Sequence, residues 1–223
     1  MIPVIKIEEQ QTSDGLLQLL VRGDKDYIIK LDYQILMNSH MSLTEQSLAK
    51  EGCIKIKNQK SPKVMVSGLG MGYTLRAALD NLSEKATVAV VEINPVIVKW
   101  CKKYFGDLTG NPLKDERVKL VIDDAAEFIQ RASWNKSSAF DCIILDMYEG
   151  TTEANKDPFH PFYGMEALKT TREALNKNGV LSVWTEGEDR GFENRFRKAG
   201  FKVEVIRSGK GGPRHVVYLG IKS

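Results

Sequence analysis

Two hydrophobic rhythms divide the chain. Residues 4–7, 16–21, 27–31 and 34–37 are short runs of apolar and β-forming residues, the pattern of strands. Asp14-Gly15 and Gly23-Asp24 punctuate them and predict hairpin turns. Residues 1–40 therefore read as a small antiparallel β region, and 41–223 as a larger domain. The β region has two open roles: a lid or homodimer contact, or one wall of a substrate site. Residues 42–50 predict a helix. Ser42 suits its N-cap and Glu45 lies three residues on, as in a capping box. For Glu45 this local role comes first and a place in a site second.

Beyond residue 63 apolar runs alternate with helical spacing. Strands are predicted at 64–66, 87–91, 118–122, 140–145, 179–184, 202–206 and 216–221. Helices are predicted at 73–79, 95–104, 125–131, 164–175 and 192–198, with Pro95 in a favoured first-turn position. Strands alternating with helices imply a mostly parallel sheet covered on both faces. No helix separates the last two strands, which predicts a C-terminal antiparallel hairpin. The fold class is α/β: a Rossmann-like, seven-stranded, mostly parallel sheet preceded by the small β-sheet.

In such a sheet ligands bind beyond the carboxyl ends of the strands, and the candidate chemistry falls there. Gly68, Gly70 and Gly72 follow the first strand of the domain and open a helix. Glycines let the backbone turn tightly beside a ligand, and the helix N-terminus offers free N–H groups. Glu92 ends the next strand, Asp123 and Asp124 follow the third, and Asp146 ends the fourth with Glu149 three residues on. Alone, Asp123 or Asp124 reads as a helix cap. Acids at three successive strand ends point to a nucleotide or nucleoside site. Glu92 suits ribose hydroxyls, Asp124 an exocyclic base amine, and Asp146 the reacting group.

Composition narrows the partners. The 223 residues are 42% hydrophobic and 27% charged, as in a soluble globular protein with one well-buried domain. A net charge of +3 is too small to argue for nucleic acid or an anionic membrane. The three cysteines, Cys53, Cys101 and Cys142, show no disulfide or metal spacing and read as packing residues, so no metal is expected. No stretch approaches the roughly 20 apolar residues of a membrane span, and residues 1–11 are too charged for a signal peptide, so the expected location is cytoplasmic. Residues 149–161 form a long strand-to-helix link, read either as a lid walled by Phe159, His160, Phe162 and Tyr163 or as a docked surface loop. Residues 209–215 lack a P-loop ending and read as a solvated hairpin turn, with anion contact the alternative.

The runs VMVSGLGMGYTLRAAL, VVEINPVIVKWCKKYF, VKLVIDDAAEFI and FDCIILDMYEG resemble the spermidine synthase (polyamine aminopropyltransferase) family, which has the class I S-adenosylmethionine-dependent methyltransferase fold. The resemblance implies that Gly68, Gly70 and Gly72 form the nucleoside-holding turn. It implies that Glu92 is the ribose acid, Asp124 the adenine-binding acid beside Asp123, and Asp146 the catalytic base. Glu149 then grips an amine acceptor, and Tyr148 is available as a proton relay. The implied donor is S-adenosylmethionine or its decarboxylated form, and the acceptor is a small amine such as a polyamine.

Three departures stand beside it. Met71 occupies the place of a donor-binding Asp, Ser47-Leu48 that of a Tyr-His pair, and Asp146-Met147-Tyr148-Glu149-Gly150 that of an Asp-Ser-Ser-Asp-Pro run. They predict a weaker grip on the decarboxylated donor and argue against authentic spermidine synthesis. Methyl and aminopropyl transfer both stay open, with a non-catalytic nucleoside-binding or regulatory role as the alternative. A nicotinamide dehydrogenase is disfavoured, because the third glycine of the dinucleotide fingerprint falls on Tyr73.

Overall fold

The computed structural model describes residues 2–40, 42–147, 151, 157–207 and 215–223. The chain divides into two compact units, Met1–Leu43 and Thr44–Ser223. In the first, β1 (Val4–Thr12), β2 (Gly15–Arg22), β3 (Asp26–Leu31) and β4 (Gln34–Asn38) form an antiparallel meander in chain order. The Asp32 carboxylate accepts from the Leu16 N–H at 2.8 Å, which ties the first turn to the third.

The second unit contains α1 (Leu43–Lys55), β5 (Lys63–Ser67), α2 (Tyr73–Asp80), β6 (Thr87–Glu92), α3 (Pro95–Tyr104), α4 (Gly106–Thr109), β7 (Val118–Ile122), α5 (Ala125–Trp134), β8 (Phe140–Leu145), α6 (Met165–Glu173), β9 (Leu175–Thr185), α7 (Arg190–Lys198), β10 (Phe201–Arg207) and β11 (Val216–Lys222). Its seven strands run in the order β10-β11-β9-β8-β5-β6-β7. The pairs β9–β8, β8–β5, β5–β6 and β6–β7 are parallel, whereas β11 pairs antiparallel with both β9 and β10. No helix among the described residues is long and apolar enough to cross a membrane.

Strand side chains alternate between the two faces. Met65, Ala89, Val91, Ile143, Leu145, Leu181 and Val183 join Ile129, Leu168, Phe192 and Phe196 of α5, α6 and α7 in one buried cluster. The intervening residues, such as Cys142 and Ser182, face the other layer, where α1 packs. This second layer explains why α1 runs past the predicted end at residue 50. A Cβ on Gly52 would lie 3.1 Å from both Cys142 Sγ and Ser182 Cβ, so glycine lets the helix come this close without its neighbours giving way. One turn earlier, the Ser182 hydroxyl donates to the Leu48 carbonyl at 2.9 Å. The helix predicted over 164–175 stops at Glu173, because Leu175 already pairs with Phe140 as the start of β9. All three cysteines are buried free thiols, and burial pushes Cys53 and Cys101 up to about 12.

Candidate active site

The topology sets β8, β5, β6 and β7 side by side and parallel. Their carboxyl ends therefore form one edge, and backbone bonds lock it. The Gly68 N–H donates to the Val91 carbonyl at 2.8 Å, and the Asp123 N–H to the Glu92 carbonyl at 3.2 Å. Gly68, Gly70 and Gly72 have φ of +81°, +49° and +90°, a region costly for a residue with a Cβ. At Gly68 an added Cβ would also stand 2.7 Å from the Asp146 carbonyl oxygen. Gly68→Ala is expected to cost about 2–3 kcal/mol. A thermal melt would read this as a Tm lowered by roughly 5–10 °C; an unchanged Tm would contradict the packing. Gly72 meets Pro112 and Thr109 instead, so its turn packs inward.

Glu92 fastens the glycine turn to β6. One carboxylate oxygen accepts from the Leu69 N–H and the other from the Asn94 N–H, both at 2.9 Å. Burial raises its pKa, opposed by these bonds and by those from the Gly70 and Ile93 N–H groups. Together these N–H groups orient the carboxylate at the turn.

Asp124 meets its reading as a helix cap. It is the N-cap of α5, its Oδ1 accepting from the N–H groups of Ala126 and Glu127 at 2.7 and 3.0 Å. That bond set fixes the side chain and leaves Oδ2 outside the cap. Asp123 is engaged differently: Oδ1 accepts the Asp124 N–H at 3.0 Å and Oδ2 pairs with Arg131. Its side chain braces the β7–α5 corner. Two apolar side chains without a distinctive sequence signal stand beside these acids. Ile93 and Ile122 follow Glu92 and precede Asp123, and both are more than half exposed.

Asp146 ends β8 beside the glycine turn. The Thr74 hydroxyl donates to its Oδ2 at 2.5 Å. Burial pushes its carboxyl up to about 6, with the Thr74 bond opposing. Glu45 joins it from the first turn of α1, and burial followed by the Asp146 charge pushes the Glu45 carboxyl up to about 7. Burial and Glu45 in turn raise the Tyr73 phenol. Glu45 thus couples to this cluster from the first turn of α1. Met71, opposite a donor-binding Asp in the resemblance, is wholly buried.

A match to the spermine/spermidine synthase domain spans residues 34–189, about two thirds of the chain. The chain belongs to the spermine/spermidine synthase family. Within it, the chain is 33% identical over 127 residues to a polyamine aminopropyltransferase of Clostridium botulinum (strain Alaska E43 / Type E3), covering 56% of this chain and 40% of that protein. It is 27% identical over 183 residues to one of Sulfurisphaera tokodaii, covering 82% and 57% respectively. The chain thus spans about half the length of the curated relatives it matches. Spermidine synthase from Thermotoga maritima superposes with a TM-score of 0.75 at 20% identity, over 98% of this chain and 73% of that one. A spermidine synthase solved with the transition state analogue AdoDATO gives 0.74 at 20% identity, with the same coverage. These two share the family fold.

Two predicted site residues of this family member, Tyr148 and Glu149, lie outside the described residues, as do residues 150, 152–156 and 208–214. The apolar residues read as a lid wall separate. Tyr163 and Phe162 join the core, whereas Phe159 is almost fully exposed. His160 stacks on Tyr163 at 4.9 Å, and its Nδ1 accepts from the N–H groups of Phe162 and Tyr163 at 3.2 and 3.3 Å. It shapes the turn into α6.

Proposed function

We propose that the chain is a transferase. It binds decarboxylated S-adenosylmethionine at the ends of β5, β6 and β7 and moves the aminopropyl group to a primary amine of a polyamine. The observation that carries this is the buried Glu92 carboxylate held to the glycine turn by backbone N–H groups, at the strand edge that also bears Asp124 and Asp146. The family's curated relatives, being polyamine aminopropyltransferases, weigh for aminopropyl over methyl transfer and against the doubt about polyamine chemistry raised by Met71. Methyl transfer from S-adenosylmethionine is the second reading, favoured by that same Met71.

In the proposed reaction the acceptor nitrogen, in its neutral form, attacks the propyl carbon bonded to sulfur. The C–N bond forms as the C–S bond breaks, and the bonding pair leaves with sulfur as a neutral thioether, methylthioadenosine. The new secondary ammonium passes its extra proton to Asp146 and on to water. Glu92 faces the ribose hydroxyls from the glycine turn, Asp124 accepts from the adenine amine through Oδ2, and Ile93 and Ile122 cover the base. Alignment of donor and acceptor contributes most of the rate, because the sulfonium is already a good leaving group. Glu149 and Tyr148 keep their proposed roles in acceptor binding and proton relay.

Thermal shift ranks the readings. Methylthioadenosine and the decarboxylated donor at about 100 times Kd are expected to stabilise the protein by about 2.7 kcal/mol, a Tm rise of roughly 5–10 °C. A shift with NAD alone overturns the transferase reading. Methylthioadenosine binding without turnover of labelled donor on any polyamine supports the non-catalytic alternative.

A further inference from the structure

The sequence gives Glu45 a local reason to exist, yet the packing of α1 brings it into the site. Three contacts set the height of the helix over the sheet. Gly52 lies against both Cys142 and Ser182, and Leu48 is held by Ser182, which pairs with Ile144 of β8. From residue 52 to residue 48 the helix thus leaves Cys142 and stays with Ser182, at the level of Ile144. Helix and strand are antiparallel, and one further turn, about 5 Å, brings Glu45 to the level of the next residue on that face, Asp146. Cys142, Ile144 and Asp146 share that face because strand side chains alternate. The electrostatic coupling of Glu45 to Asp146 agrees with this placement.

The immediate surroundings do not satisfy the carboxyl. Glu45 Oε2 is buried and accepts no hydrogen bond from the described residues, and the backbone N–H that Glu45 does engage is its own. The ionisable and polar groups facing it are Asp146 from β8, with Thr74 on Asp146 Oδ2, and Tyr73 from α2. No described Lys or Arg is paired with Glu45 or Asp146. A largely buried carboxyl beside a second one, with an oxygen that receives no donor, is held partly protonated, and a cation with several N–H donors would let both ionise.

We propose that Glu45 is a specificity-determining residue that, together with Asp146, receives a primary alkylammonium of the substrate. This rests on the transferase reading and names the part of the substrate that this corner of the site selects. The ammonium has two sources: the free end of the donor's aminopropyl group, or one end of a diamine acceptor. An ammonium has three N–H donors, enough for Glu45 Oε2, Asp146 and one further acceptor. Its arrival ionises both carboxyls, so binding releases a proton in the range where Glu45 and Asp146 titrate.

Calorimetric titration of the full chain near pH 6.5, repeated in buffers of different ionisation enthalpy, tests this with methylthioadenosine, decarboxylated S-adenosylmethionine and 1,4-diaminobutane. Glu45→Gln keeps the size of the side chain and removes its charge. It is expected to leave the methylthioadenosine Kd within about twofold, to weaken one amine-bearing ligand tenfold or more, and to abolish proton release on binding that ligand. Loss confined to the decarboxylated donor assigns Glu45 to the donor amine, and loss confined to diaminobutane, measured with methylthioadenosine bound, to the acceptor. Glu45→Asp is expected to recover part of the lost affinity. Unchanged affinity for both amines, or an equal loss for all three ligands, overturns the proposal. Wild-type protein that does not bind methylthioadenosine overturns the transferase reading itself and this inference with it.

Discussion

Asp146→Asn is expected to bind methylthioadenosine as the wild type does and to lower kcat by about 10²–10⁴-fold, the range of a lost general base. The change is nearly isosteric, and the amide oxygen can still accept the Thr74 hydroxyl that now meets Asp146 Oδ2 at 2.5 Å. The Gly68 turn, which packs on the residue's backbone carbonyl, is untouched. The ability to take up a proton goes, and with it the charge that faces the substrate ammonium. Single-turnover measurements with labelled donor separate this from product release, and full activity in the variant would remove Asp146 from the mechanism. The same carboxyl sets an acid limit. Burial raises Asp146 to about 6, so it is ionised above that pH and protonated below it. The wild-type kcat is therefore expected to fall as pH drops through about 6, and the residual rate of Asp146→Asn to lose that limb. Burial and the Asp146 charge raise Glu45 to about 7, so the two carboxyls titrate as a pair and the limb spreads over more than one pH unit.

Glu92→Ala is expected to be the most damaging single change to stability, at about 3–5 kcal/mol. The side chain is buried and receives N–H groups from Leu69 and Asn94, with further bonds from Gly70 and Ile93. Truncation strands these donors where water cannot replace the carboxylate, at about 1–3 kcal/mol each in part-compensated form. A thermal melt is expected to show Tm lowered by roughly 8–15 °C, with methylthioadenosine binding lost. Glu92→Gln keeps one acceptor oxygen and sheds the cost of a buried charge, so it should retain more stability than Ala. A Glu92→Ala protein as stable as the wild type would show that the backbone bonds around the turn are dispensable.

What the sequence disclosed follows from how local each signal is. Strands β5, β6 and β8 were legible because strands buried on both faces are apolar throughout, and VAVV and CIIL have no other use. The acids at the strand ends were legible because the alternation of elements fixes which end of each strand they occupy. Three features were hidden. The run of α1 through Gly52 depends on Cys142 and Ser182, far away in sequence, whereas locally a glycine argues for a helix end. Glu45 sits three residues after Ser42, a pattern that already explains an acid there, and only the height of α1 over β8 shows its second relation. Phe162 and Tyr163 follow a long link that reads either as a lid or as a docked surface loop, and Tyr163 packs edge-on to Phe192 at 5.9 Å within the core. Aromatic residues in a link carry no mark that separates a wall from an anchor. The Asp124 cap was legible from its place before α5, and it uses one oxygen only.

The fastening of the glycine turn by Glu92 bears on how association would proceed. Leu69, Gly70, Asn94 and the carboxylate itself are already immobilised by one another, so this cradle has little freedom left to surrender when a nucleoside arrives. Ordering a rotamer-rich side chain on binding costs about 0.5–1.5 kcal/mol, and that toll is absent here. Encounter at this end should therefore be close to lock-and-key, with a fast on-rate and little induced change. Discrimination among nucleosides would then show up in how quickly each one departs.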